Sequence, residues 1–217
     1  MRLNVKNTTF PGLLDLLAPH SCRGCGHTGE ALCDCCKNNI LKQKTSFRPK
    51  EKLPKTFIVG KRDGLLNDLI HDFKYNSNRS LAKPLAELLA EKLPKNQKGK
   101  VVVVPLPTAT NHIRTRAFDH TLLLAKHLAR FKGYQVEELL VRTKNTVQVG
   151  ADEKTRLKQA REAFELNPKL KIDPETTYLI LDDVWTTGAS MKSAIKKLRQ
   201  GGAKKLIVGV LAVNRLD

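Results

Sequence analysis

Apolar residues recur along the chain at two different spacings. Between Gly64 and Tyr75 they repeat every three or four residues, which predicts an amphipathic helix over that stretch. The same spacing predicts helices over residues 81–93 and 119–131, and a further helix that begins near Ala189. Each of these helices needs an apolar partner surface to cover its buried face.

Short apolar runs, most of them rich in β-branched residues, fall between the helices and predict strands. They cover residues 56–60, 101–104, 139–142, 178–181 and 206–213. Strands that alternate with helices favour a parallel sheet with right-handed crossovers. We therefore expect an α/β fold whose ligands bind beyond the carboxyl ends of the strands.

The strand predicted at residues 178–181 leads into a pattern that carries chemistry. Two carboxylates follow it directly, and small residues then lead through Gly188 into a helix. A helix N-terminus offers unpaired N–H groups and partial positive charge to a phosphate, and two carboxylates accept hydrogen bonds from a ribose diol. A plain turn with an N-cap is the alternative interpretation. The sugar-phosphate site predicted here consists of Asp182, Asp183, Thr186, Thr187, Gly188, Ala189 and Ser190.

All five cysteines lie between residues 22 and 36, and four of them form two Cys-x-x-Cys pairs. Two such pairs joined by a short loop supply four thiolates at tetrahedral corners, which predicts a structural zinc site. An iron–sulfur cluster is the alternative occupant. Cys35 could replace Cys36, and His27 could replace one sulfur. The predicted ligands are Cys22, Cys25, Cys33 and Cys36.

The chain of 217 residues is long enough for one α/β domain and a small appendage. Residues 37–56 are rich in Lys and Asn and contain two prolines, which is typical of a linker. The predicted organisation is a zinc knuckle over residues 1–40, a linker over 41–56 and the α/β domain over 57–217.

The chain is strongly basic, with 39 Lys and Arg against 21 Asp and Glu and a formal net charge of +18. The excess is spread over the whole chain, and it suggests nucleic acid as a polyanionic partner. A basic protein without such a partner is the alternative. No apolar run approaches the ~20 residues of a membrane span, and the N-terminus lacks a signal-peptide layout, so we expect a cytoplasmic protein.

Several stretches together resemble the ComF family, the competence-associated phosphoribosyltransferase-like proteins. The matching pieces, in chain order, are the cysteine pairs, Phe73-Lys74-Tyr75, Val104-Pro105-Leu106-Pro107, Arg114, Arg116-Ala117-Phe118-Asp119-His120, Gln148, Arg156, Phe164 and the stretch from Asp182 to Ser190. The chain departs from the family pattern at Ala117, where Gly is common, and at Asp119-His120, where Asn-Gln is usual. Gln159 also stands where Asn is usual. His112 and His120 could be bases, but we expect both to be surface or loop residues.

The resemblance implies a type I phosphoribosyltransferase-like fold that binds phosphoribosyl pyrophosphate (PRPP). In such a site the acid pair holds the ribose hydroxyls and the Thr-Thr-Gly loop holds the 5′-phosphate. Pro107 and Thr108 would lie on the pyrophosphate side. The cations near the phosphates would be Lys74, Arg114 and Arg116.

The function implied by the resemblance is DNA uptake in natural transformation. The protein would bind PRPP or the sugar phosphates of single-stranded DNA, and it would dock on DNA or on a partner such as a competence helicase. The alternative is an active Mg²⁺-dependent phosphoribosyltransferase with an unknown acceptor. Asp182 and Asp183 would then stabilise positive charge on the ribose. A PRPP-sensing regulator without chemistry is a third hypothesis.

Overall fold

A computed structural model describes residues 21–43, 47, 53–95, 97–108, 118–142 and 163–214. Its helices are α1 (Asp34–Lys42), α2 (Gly64–Tyr75), α3 (Ala82–Lys92), α4 (His120–Lys132) and α5 (Ala189–Gln200), with a 3-10 turn at Arg79–Leu81. Its strands are β1 (Lys55–Lys61), β2 (Val101–Pro105), β3 (Gln135–Val136), β4 (Leu140–Arg142), β5 (Phe164–Leu166), β6 (Thr177–Trp185) and β7 (Lys205–Val213). Within these ranges, no helix is both long and apolar enough to cross a bilayer.

Five of the strands form one parallel sheet in the order β1-β7-β6-β2-β3. Strand β6 lies at its centre, with β7 on one side and β2 on the other. All five residues of β2 are buried, as expected for a strand that is covered on both faces. The predicted parallel-sheet α/β fold is therefore confirmed.

Two apolar layers cover the sheet, and alternate residues of β2 divide between them. Val101 and Val103 pack with the buried faces of α2, α3 and α4. Val102 and Val104 pack with α5 and with the β4–β5 pair on the other face. Because side chains alternate along a strand, one four-valine run supplies core to both layers.

The cysteine-rich segment, residues 21–43, packs on the first of these layers. Cys22, Leu32 and Ile40 are buried in the same apolar cluster as Val59 and Leu66 of the sheet domain. Polar contacts add to this packing, since the Lys37 ammonium lies 3.0 Å from Glu87 of α3 and Lys92 donates to the Leu41 carbonyl at 3.0 Å. The cysteine segment and the sheet domain therefore share one core.

The structure differs from the sequence-based expectations at several elements. Helix α1 occupies part of the stretch that resembled a linker, and its buried side, Cys36 and Ile40, faces the core. Strand β4 was expected in the parallel sheet, but it pairs antiparallel with β5 in a separate two-stranded sheet. The short strands β3 and β5 carry no pattern long enough to predict them. The division into three units at residues 40 and 56 stays a prediction.

Candidate functional site

The acid pair lies inside the central strand of the sheet. Asp182 pairs with Val210 of β7, and the ladder continues to Trp185 opposite Val213. The strand boundary predicted at Leu181 is therefore wrong, because the β6–β7 pairing continues for four more residues. The carboxylates are held by a paired backbone at the carboxyl end of the sheet, where ligands of parallel α/β folds bind.

A tight turn connects this strand to helix α5. Gly188 adopts φ +74°, a left-handed conformation, and the Trp185 indole lies directly against it: a Cβ added to Gly188 would come within 2.4 Å of the ring. Thr186 and Thr187 are exposed in the turn, and the Thr187 hydroxyl accepts from the Ala189 N–H at 3.4 Å. Helix α5 begins at once, so its first N–H groups face the same space as the two threonines.

A small pocket opens beside this turn. The residues that line it include Asp182, Trp185, Thr186, Gly188, Ser190 and Met191. Its volume is about 30 Å³, far below the several hundred Å³ of an enclosed small-molecule site. A sugar phosphate would therefore lie over this pocket and not inside it.

Asp183 contacts two basic side chains on the opposite face of the strand. Its Oδ2 lies 2.7 Å from Nζ of Lys74, in the last turn of α2, and 2.9 Å from Nε2 of His120, at the start of α4. Asp183 is 3% exposed and His120 is 4% exposed. The expectation that His120 is a surface or loop residue is therefore wrong. Its helical spacing with Leu124 and Leu128, both buried, is the sequence signal that could have shown this.

The two carboxyl groups have opposite pKa shifts. Burial and the neighbouring Asp183 charge raise the pKa of Asp182 well above its ordinary value. Burial would also raise the pKa of Asp183, but contacts with His120 and Lys74 hold it below its usual range. Asp183 is therefore the anionic member of the pair, and Asp182 is the one that takes up a proton first.

The loop after β2 lies at the same edge of the sheet. The Leu106 N–H donates to the Leu181 carbonyl at 2.9 Å, so this loop runs beside the acid-bearing strand. Pro107 and Thr108 are partly exposed there. The Thr108 hydroxyl donates to Asp119 Oδ1 at 3.1 Å, and the same oxygen caps α4 by accepting from the Leu122 N–H at 3.0 Å.

Some residues singled out from the sequence lie outside the described part of the chain. Among the site predictions, these are Arg114 and Arg116. The other residues concerned are His112, Ala117, Gln148, Arg156 and Gln159.

The structure brings four of the five cysteines together. The sulfurs of Cys22, Cys25, Cys33 and Cys36 all lie within 4.8 Å of one another. Cys33 Sγ is 3.6 Å from both Cys22 Sγ and Cys25 Sγ, close to the ~3.8 Å that a tetrahedral Zn–S₄ centre requires. Cys35 is exposed and is not one of the four. These four sulfurs therefore fit a tetrahedral metal ion such as zinc.

Backbone groups of the cysteine segment are aimed at one of these sulfurs. The N–H groups of Gly24 and Cys33 each donate to Cys22 Sγ at 3.4 Å. Burial alone would raise the pKa of Cys22, but backbone hydrogen bonds from Cys33, Cys25 and Gly24 lower it to about 6. Burial and the adjacent sulfurs raise the pKa of Cys36. A bound cation would stabilise all four thiolates together.

Comparison with known proteins gives two curated relatives. The chain is 28% identical over 197 residues to Competence protein F of Haemophilus influenzae. This alignment covers 87% of this chain and 83% of that protein. It is 25% identical over 139 residues to Competence protein ComFC of Streptococcus pneumoniae, covering 64% of this chain and 59% of the length of that relative. No family model matches the chain.

Among solved structures, the chain is similar to an adenine phosphoribosyltransferase from Leishmania tarentolae. The superposition covers 75% of this chain and 94% of the other, with 11% identity and a TM-score of 0.42.

Proposed function

Since the chain belongs to the ComF family, in keeping with its two competence-protein relatives, we propose that it binds PRPP or a related sugar phosphate in DNA uptake. One observation carries this proposal. An acid pair on the central strand is followed by the Gly188 turn and the N-terminus of α5, and it lies beside the loop after β2. Carboxylates, hydroxyls and the N–H groups of a helix N-terminus thus converge at one edge of the sheet.

Each part of the ligand has a matching group in this arrangement. The 5′-phosphate would accept from the N–H groups and hydroxyls of residues 186–190, because a helix N-terminus favours an anion. The ribose hydroxyls would donate to the acid pair. Pro107 and Thr108 would face the pyrophosphate, Arg114 and Arg116 would be its cations, and Mg²⁺ would offset part of its negative charge.

The four-cysteine cluster would hold zinc in a structural role. All four corners of the tetrahedron would be occupied by protein sulfurs, which leaves no open position for a substrate. Because this cluster lies in the shared core, zinc would stabilise the fold that carries the ligand site.

Single-stranded DNA is the second partner in this proposal. The formal charge of +18 favours a polyanion, and a site for sugar phosphates also suits the phosphates of a DNA strand. With aromatic residues at only 5% of the chain, contacts to the backbone would outweigh stacking on bases. A transformation protein such as a competence helicase is the expected protein partner, by analogy with the family.

Calorimetric titration with PRPP, with and without Mg²⁺, tests the ligand. We expect saturable binding by the wild-type protein and its loss in the double variant Asp182→Ala with Asp183→Ala. Equal binding by the double variant would show that the ligand site lies elsewhere. Release of pyrophosphate during the incubation would instead favour the alternative, an active phosphoribosyltransferase.

Fluorescence anisotropy with a labelled oligonucleotide tests the DNA contact. The logarithm of affinity should fall linearly with the logarithm of salt concentration, by about 0.7 for each phosphate contact. The double variant Arg114→Gln with Arg116→Gln should reduce this slope. Lys100→Gln is the matched control, because Lys100 is exposed at the opposite edge of the sheet. A salt-independent affinity would contradict the proposed contact.

A further inference from the structure

The end of helix α2 exposes an aromatic ring that has no part in the candidate site described above. Tyr75 is the last residue of α2 and is 55% exposed. The His71 imidazole, one helical turn earlier, lies against this ring, with the two centroids 5.0 Å apart and the planes tilted by 44°. The His71 side chain is itself 54% exposed. The two rings therefore form an aromatic pair on the surface of the protein.

A second planar group lies four residues further along the chain. The Arg79 guanidinium lies over the Phe118 ring, with 4.9 Å between Cζ and the ring centroid. Phe118 packs in turn on Phe73, with 5.6 Å between the ring centroids, and Phe73 is fully buried. Arg79 is exposed. Its guanidinium is thus held at the surface over a ring that is anchored in the core.

A tight polar turn connects these two groups. The N–H groups of Asn76 and Asn78 both donate to the Asp72 carbonyl, at 3.1 and 3.3 Å, so the turn folds back on the end of α2. Ser77, between them, adopts the left-handed φ of 51° that such a reversal requires. All three turn residues are polar and exposed. An exposed ring beside polar residues differs from the contiguous apolar patch that marks a protein–protein interface.

Exposed aromatic rings and guanidinium planes are the groups on which proteins stack unpaired nucleobases. Every base has a π face, so such stacking needs no particular sequence. Inside a duplex these faces are covered by the neighbouring base pairs, which makes a single strand the matching ligand. The formal net charge of +18 attracts the backbone of such a strand, and Arg79 adds a cation at the surface itself.

We propose that Tyr75 and Arg79 form a base-stacking site for single-stranded DNA, with one nucleobase on the Tyr75 ring and a second on the Arg79 guanidinium. The inference rests on the proposed function for the identity of the polymer. Lys74, the residue before Tyr75, contacts Asp183 of the central strand at 2.7 Å. The stacking site therefore lies at the rim of the candidate sugar-phosphate site. Backbone contacts supply most of the affinity, and the stacking site fixes where the bases lie.

Fluorescence anisotropy with two labelled strands of equal length tests this site. One strand is an oligothymidine, and the other is an abasic strand that has the same phosphates without bases. The wild type should bind the oligothymidine more tightly. Tyr75→Ala should weaken the oligothymidine about tenfold, the loss of one base–aromatic stack, and leave the abasic strand nearly unchanged. Tyr75→Phe keeps the ring and should keep most of the affinity.

Arg79→Lys separates stacking from charge. The lysine keeps the positive charge but has no planar face, so the affinity for the oligothymidine should fall while its salt dependence stays as in the wild type. Tyr75→Ala should also leave the salt dependence unchanged, because it removes no phosphate contact.

Phe131→Ala is the matched control, because Phe131 is another exposed aromatic residue, 40% exposed in the last turn of α4. It should leave both affinities unchanged. Thermal melts show whether the variants fold, and we expect wild-type melting temperatures for substitutions at these exposed positions. If Tyr75→Ala does not fold, Arg79→Lys carries the test.

Three results would overturn the stacking site. Equal affinity of the wild type for the two strands would show that bases are not contacted. An unchanged oligothymidine affinity in Tyr75→Ala would remove the ring from the contact. An equal loss of both strands in that variant would place the backbone, and not a base, on the ring.

A wild-type protein that binds neither strand would refute the DNA contact of the proposed function, and the stacking site with it. The titration with PRPP is independent of this result and still tests the sugar-phosphate ligand. Salt-dependent binding of both strands by the wild type, with no effect of Tyr75→Ala or Arg79→Lys, would instead support the proposed DNA contact and refute the stacking site alone.

Discussion

The guanidinium of Arg23 lies 2.6 Å from the carboxylate of Asp72, and this contact joins the cysteine segment to helix α2. Arg23 follows Cys22 directly, and Asp72 lies two residues before Lys74 in the same helix. The four-cysteine cluster and the acid pair are therefore both connected to the last turn of α2, the first through Asp72 and the second through Lys74.

Removal of the zinc proposed for the four-cysteine cluster should destabilise the whole described fold. Cys22, Leu32 and Ile40 share a core with the sheet domain, so loss of the cluster exposes apolar surface on both. Treatment with a chelator should lower the melting temperature of a single calorimetric transition. Two separate transitions, with the main one unshifted, would show that the sheet domain is independent of the cysteine segment.

Cysteine variants test the choice of ligands. Cys33→Ser should lose bound zinc by elemental analysis, because Cys33 Sγ is 3.6 Å from two of the other sulfurs. Cys35→Ser is the matched control and should keep full zinc content, since Cys35 is exposed and lies outside the cluster. Zinc loss in the control would reassign the ligand.

The Asp182→Asn variant should be more stable than the wild type at neutral pH. The raised pKa of Asp182 means that the folded state holds a proton that the unfolded state releases, so wild-type stability falls as pH rises above about 4 towards the raised value. An asparagine at position 182 does not ionise, so the variant does not lose this stability as pH rises. Its side-chain oxygen can still accept from the Asp183 N–H, which lies 2.8 Å from Asp182 Oδ1 in the wild type.

Thermal melts between pH 4 and pH 8 measure this difference. The gain in melting temperature of Asp182→Asn over the wild type should be smallest at the acid end and should grow as pH rises. Each kcal/mol of added stability should raise the melting temperature by about 3 °C. Asp183 titrates in both proteins, and its lowered pKa removes stability on acidification from each. A difference that shrinks with rising pH would contradict the assigned direction.

Gly188→Ala should destabilise the fold more than the same change at Gly133. Both glycines have positive φ, 74° and 68°, so both variants carry a backbone cost of about 1 kcal/mol. At Gly188 the added methyl also meets the Trp185 ring, whereas nothing lies within 4 Å at Gly133. Chemical denaturation measures the difference, and equal losses would show that the indole moves aside freely.

Arg23→Gln should lower the free energy of unfolding by a small but measurable amount, because it removes a short, partly exposed ion pair. Asp72 is 14% exposed and loses its closest charged partner. Lys61→Gln is the matched control, because the Lys61–Asp63 pair is longer, at 3.4 Å, and about half exposed on both sides. The control should change the free energy of unfolding very little.

Local patterns in the sequence predict much of this fold. The helix over Gly64–Tyr75 is found as predicted, because its apolar spacing is complete over three turns. The order of strand, acids, turn and helix predicts the arrangement around Gly188. These features depend on neighbours along the chain, which a sequence displays directly.

Other features depend on contacts between distant segments. The contact of Asp183 with His120 joins residues 63 positions apart, and no spacing rule connects them. Helix α1 is stabilised by the packing of Cys36 and Ile40 on the sheet domain, while its own sequence is rich in polar residues. The two-residue strand β3 is defined only by its pairing with β2.

The central position of β6 has a consequence for motion. It pairs with β2 as far as Leu181 and with β7 as far as Trp185, so opening this strand requires much of the sheet to open with it. Amide protons of residues 178–181, just before the acid pair, should therefore be among the slowest to exchange with solvent. Ligand-dependent rearrangement would then be confined to the turns that flank the acid pair, while the carboxylates themselves stay at a fixed reference position.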